Sequence, residues 1–126
     1  MNGRRHTTRM LLGMIVLMTA MMVATTSPTE AAGPKKFTLI NVLLDDAKIW
    51  LPSNIIVDQG DEIELTLINK LDVPHGFKID EFGIESVIEA KSKSTVKFTA
   101  KMAGVYSYVC QLHPQHIGGQ IQVLAK

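Results

Sequence analysis

"YVCQLHPQHIGGQIQV", residues 108–123, holds the chain's one cysteine and two of its four histidines. Cys110, His113 and His116 follow one another at intervals of three, with Pro114 between the histidines and Gly118-Gly119 just beyond. Upstream, Tyr106, Tyr108 and Cys110 alternate with Ser107 and Val109, so a strand would put those three side chains on one face and deliver the thiol to its end. Downstream, "GQIQVLAK" (119–126) turns Ile121 and Val123 inward as a second strand. The stretch therefore reads as strand, loop, strand, with its chemistry gathered in the loop.

The same period-two pattern continues outward. "FTLINVLL" (37–44) is apolar and β-rich. "IIVDQGDEIELTLIN" (55–69) holds a strand, a turn at Asp58-Gln59-Gly60-Asp61, and a strand whose Ile63, Leu65 and Leu67 alternate with Glu62, Glu64 and Thr66. "STVKFTA" (94–100) places Val96 and Phe98 on one face, and "GFKIDEFGIESVIEAK" (76–91) reads as strand, loop, strand, because Gly83 interrupts a helical alternative. Short alternating strands separated by turns predict an all-β, antiparallel β-sandwich.

Composition sets the frame. A length of 126 residues suits one domain. Six of the seven methionines precede residue 25, inside a segment with Arg4, Arg5 and Arg9, an apolar run from Leu11 to Ala24, and a small polar tail. That order predicts an export signal over 1–32. The apolar run falls short of the roughly 20 residues that cross a bilayer, so cleavage is expected rather than anchoring, and membrane contact only while the signal is uncleaved. The expected mature domain, 33–126, carries ten lysines against eleven acids, a net charge of −1. No concentrated basic face is present to predict nucleic-acid binding. Lys91, Lys93, Lys97 and Lys101 read as a solvated edge that discourages strand-to-strand association. Export implies a periplasmic or extracellular location, where an unpaired Cys110 needs burial or a metal to protect it.

His75, in "LDVPHGF" (71–77), sits in a loop expected after the strand ending at Asn69. Loops of a sandwich cluster at its poles, so His75 can reach the point to which Cys110, His113 and His116 are delivered. Singly, each of these residues has an ordinary reading: a turn histidine, a buried small thiol. Together they predict a metal site of His75, Cys110, His113 and His116. One thiolate with neutral imidazoles favours copper, because thiolate stabilises Cu(I) and imidazole suits Cu(II). Zinc accepts the same donors.

"VPHGF", followed by "YSYVCQLHPQH" and "GGQIQV", resembles the cupredoxins, small exported copper proteins that include plastocyanin, amicyanin and azurin. The resemblance implies a Greek-key antiparallel β-sandwich and a trigonal site for one copper ion on His75, Cys110 and His113. In the short amicyanin-type loop, the axial methionine falls three residues after the histidine; here His116 holds that place. The mature segment's only methionine, Met102, lies elsewhere. The local sequences "GFKIDEFGIESVIEA" and "CQLHP" resemble nitrosocyanin, in which a carboxylate stands where this chain has His75. With His116 as axial ligand, copper would leave the trigonal plane and the site would not be blue. Gly76 replaces the asparagine that many cupredoxins carry after the upstream histidine, which loosens the expected loop, while Asp80, Glu81 and Glu85 read as solvated acids.

The expected function is one-electron transfer to a transient redox partner, a cytochrome or copper enzyme, rather than catalysis. The alternative, implied by the nitrosocyanin resemblance, is a red copper protein acting on or sensing a small molecule such as a nitrogen oxide. Copper storage or delivery ranks third, because exposed Met/His-rich motifs are missing from the mature segment.

Overall fold

In the computed structural model, which describes residues 33–126, the alternating segments form nine strands. The export signal expected over 1–32 lies outside the described residues. β1 (Lys35–Leu44), β2 (Ala47–Leu51), β4 (Glu62–Asn69) and β7 (Lys93–Thr99) form one sheet in the order β2-β1-β4-β7. A second sheet has the order β3-β9-β8, from β3 (Asn54–Asp58), β9 (Gly119–Leu124) and β8 (Gly104–Tyr108). The hairpin β5 (His75–Ile79) and β6 (Ile84–Ile88), joined by a 3₁₀ turn at Asp80–Phe82, makes a third, two-stranded piece.

The sandwich is mixed rather than wholly antiparallel. β1 pairs parallel to β4 and β3 pairs parallel to β9, while the hairpins and β4 with β7 run antiparallel. Alternation along a strand is the same in both senses, so the side-chain pattern does not distinguish them. The predicted faces hold: Ile63, Leu65 and Leu67 of β4 and Ile121 and Val123 of β9 are buried, as are Tyr106, Tyr108 and Cys110. The expected turn at 58–61 closes with the Asp61 N–H donating to Asp58 O at 3.1 Å. Lys93 and Lys97 are exposed on β7, an edge strand, where a row of charges blocks further pairing.

β2 has no counterpart in the sequence reading. It contributes Trp50, fully buried and packed edge-on to Phe77 with ring centroids 5.8 Å apart. Phe77 in turn lies 5.0 Å from Tyr108, so an aromatic column runs from β2 through β5 to β8 beneath the histidine-bearing pole. Burying side chains of this size contributes about 1.5–3 kcal/mol each in transfer free energy, which stiffens the floor on which the site stands.

Candidate metal centre

His75 is the first residue of β5, paired with Ile88 of β6, and so stands on a strand rather than in the expected loop. Pro74 and the bend before it end just short of the histidine, and the ladder to β6 then fixes its backbone. β5 is also tied to the cysteine segment: Lys78 N–H donates to Val109 O at 2.9 Å, and Val109 N–H donates to Lys78 O at 3.0 Å. This two-bond bridge brings residues 35 apart in sequence to one point. His113 enters from the loop after β8, its N–H donating to Cys110 O at 3.3 Å, and His116 follows with its N–H on His113 O at 3.0 Å.

The donor atoms converge. Cys110 Sγ lies 3.8 Å from His75 Nδ1 and 3.6 Å from His113 Nδ1, and one ligand atom from each of the three residues falls within 4.8 Å of the others. Both imidazoles present the Nδ1 edge to the sulfur, while Nε2 of His75 is buried without a hydrogen-bond partner. Burial, and then the neighbouring His116 and His113 rings, hold His75 down to about 4, so at neutral pH it is an uncharged donor. One sulfur and two imidazole nitrogens, gathered and mostly dehydrated, fit a thiophilic transition metal such as copper.

Gly76 supports the sulfur directly. Its N–H donates to Cys110 Sγ at 3.1 Å and its carbonyl accepts from Trp50 Nε1 at 3.3 Å. The Gln111 side chain, anchored by Nε2 donating to Ser86 O at 3.1 Å, covers Gly76 so closely that a Cβ there would collide with the Gln111 amide. The looseness expected from the missing asparagine is therefore made up by the strand ladder and the Trp50 bond. Gly118 and Gly119 serve close approach as well as the turn: side chains there would meet the Tyr108 carbonyl and hydroxyl and the Ser53 carbonyl.

His116 lies beside these three, outside the group whose donor atoms converge. Its ring centroid is 5.1 Å from that of His75, its Nε2 is 2.7 Å from Asn41 Oδ1, and its Nδ1 is 3.0 Å from Ile117 O. Asn41 itself bonds Asn69, its register partner on β4, through Nδ2 to Oδ1 at 3.4 Å. This buried asparagine pair was missed in the sequence; its signal was a polar residue interrupting the apolar run of β1. Asp80 pairs with Lys78 at 2.9 Å, and Asp80, Glu81 and Glu85 are exposed, as expected of solvated acids.

A family model described as a cupredoxin-like domain matches residues 13–123. The chain belongs to the cupredoxin-like domain family. Among solved structures, this cupredoxin is similar to a copper nitrite reductase from Nitrosomonas europaea, with a TM-score of 0.65 and 21% identity over 75% of this chain and 42% of that one. It is similar also to auracyanin A, described as a "blue" copper protein from Chloroflexus aurantiacus, with a TM-score of 0.57 and 16% identity over 72% and 99% of the two chains. A copper binding protein solved in the apo form gives 0.57 and 17% over 75% and 91%. At these identities the likeness is one of fold, and the cupredoxin spans under half the length of the nitrite reductase.

Proposed function

We propose that this cupredoxin is an exported electron carrier that holds one copper ion on His75, Cys110 and His113. The observation that carries the reading is the convergence of one thiol and two Nδ1 atoms on a stiff, largely buried frame, supported by family membership. Copper bound there supplies a one-electron couple. The chain's own part is to keep the donors nearly fixed in both oxidation states. Gly76 N–H orients the sulfur, the β5–β6 ladder fixes His75, and the bridge between Lys78 and Val109 locks the two segments together.

His113 is the half-buried member of the three, flanked by exposed Leu112 and Pro114, with exposed Ile117 in the same loop. A partner docking over this partly apolar loop tip would come within a short path of the sulfur, and small transient contacts of this kind are usual for redox encounters. With a mature net charge near zero, steering of that partner by long-range charge is weak. The basic and apolar pattern of residues 1–32 supports export to the periplasm or beyond.

The second reading, reaction with or sensing of a small molecule, is favoured by one observation: the donor atoms that converge come from His75, Cys110 and His113, which leaves three candidate ligands. Against it, His75 is fully buried and Cys110 is 4% exposed, so access to the ion is narrow. Reductive titration of the Cu(II) protein decides between the two. Electron transfer predicts reversible one-electron bleaching of the visible bands and indifference to azide or nitric oxide. Failure to reduce reversibly contradicts it, and spectral shifts with those ligands favour the second reading.

A further inference from the structure

The chain reaches His75 through a stretch with little backbone pairing of its own. Pro74, just before the histidine, has no N–H to donate. The backbone of residues 71–74 is tied to the facing loop by Lys91 N–H donating to Leu71 O at 3.1 Å, its only such bond outside the strand ladders among the described residues.

A side chain supplies the rest. Asn69, the last residue of β4, is fully buried. Its Oδ1 accepts the Leu71 N–H at 3.0 Å and Asn41 Nδ2 at 3.4 Å, and its Nδ2 faces the carbonyls of Val73, Ile88 and Glu89 at 2.8, 3.1 and 3.1 Å. These partners settle which end of the amide is which, because the flipped group would set an oxygen against three carbonyls. Every donor and acceptor of the amide is then in use.

Two of the partners bracket His75. Val73 lies two residues before it along the chain, and Ile88 faces it across the β5–β6 ladder. One rigid, planar amide thus spans both flanks and sets where the chain enters β5. A buried carbonyl that loses its donor is costly, so without the amide this strand end would shift in search of another. His75 is fully buried with Nδ1 3.8 Å from Cys110 Sγ, and its short side chain follows any such shift.

Resting on the copper reading above, we infer that Asn69 is a positioning residue for the metal centre, one that holds Val73 and Ile88 together so that His75 Nδ1 faces the Cys110 sulfur before any ion arrives. Asn69→Leu keeps the branched shape and removes every hydrogen-bonding atom. In the folded variant, copper affinity measured by competition with a chelator is expected to fall about 10–100-fold. The nitrogen coupling of one imidazole in the paramagnetic resonance of the Cu(II) form should change with it. Ser92→Ala removes only the hydroxyl bond to Glu89 O at 2.9 Å, on the exposed side of the same loop, and should leave both readings at wild-type values.

Unchanged affinity and coupling in folded Asn69→Leu overturn the inference. So does an equal change in Ser92→Ala, which would mark a general loosening of the loops. Should Asn69→Leu fail to fold, magnetic resonance of the metal-free wild type still decides: slowly exchanging Asn69 side-chain amide protons and a single orientation of the His75 ring are expected, and a rapidly exchanging amide or a ring in several orientations overturns it. Absence of any thiolate-to-copper band in the loaded wild type would sink the copper reading instead, while the metal-free spectra still judge whether Asn69 holds His75.

Discussion

Gly76 bears three constraints on one residue. Its N–H is spent on the cysteine sulfur, its carbonyl on the Trp50 indole, and the space where a side chain would stand belongs to Gln111. A hydrogen bond to a thiolate lowers the electron density available to a metal, so with copper bound as proposed this amide would tune the site as well as orient the sulfur. Gly76→Ala forces the Gln111 amide or the β5 backbone to move. Overpacking of a filled site typically costs about 1–3 kcal/mol. We expect a loss of that size in the metal-free protein, measured by urea unfolding, with a shifted charge-transfer band when copper is added. An unchanged stability and spectrum would mean that Gln111 swings aside freely and that the amide bond is incidental.

At the scale of elements, the site depends on segments that clamp one another. The loop of residues 111–118 is held to β2 by Ile117 N–H donating to Lys48 O at 2.8 Å, and β2 also carries the indole that braces Gly76. The opposite end of the sandwich is secured differently. Asp61, at the turn before β4, accepts from Lys35 Nζ of β1 at 2.6 Å and from the Asp58 N–H at 2.8 Å. The Lys35 bond, and then the Asp58 amide, hold its carboxyl down to about 2, against an ordinary value of 3.8. A depressed carboxylate contributes stability that is complete above its unfolded pKa and lost as pH falls through the folded one. Asp61→Asn should therefore be less stable than the wild type at pH 7, and the gap should close between about pH 4 and 2. Denaturation midpoints across that window check it; a gap that persists at pH 2 would place the contribution in packing.

Over the whole molecule, what the sequence revealed was what local chemistry encodes. Alternation marked β4, β8 and β9 and their buried faces, and the spacing of Cys110 and His113 on a loop after a strand located the pole. The union of His75 with these two was legible because the donor types are rare and complementary, although Pro74 disguised the strand that starts immediately after it. Parallel pairing of β1 with β4 was not legible, since it is a long-range choice that leaves the side-chain period unchanged. Nor was β2, a five-residue strand of mostly half-buried residues whose weight lies in Trp50 alone. His116 shows the limit most clearly. Its position in the loop suggested a ligand; its contact with Asn41, 75 residues away, is a tertiary fact that no spacing records.

The central claim is that the Cys110 sulfur and the two Nδ1 atoms of His75 and His113 bind one copper ion together. X-ray absorption at the copper edge of the loaded protein tests it most directly. The account predicts one sulfur scatterer with imidazole nitrogens around a single copper, and loss of the sulfur in Cys110→Ser. Nitrogen and oxygen scatterers alone in the wild type would contradict it.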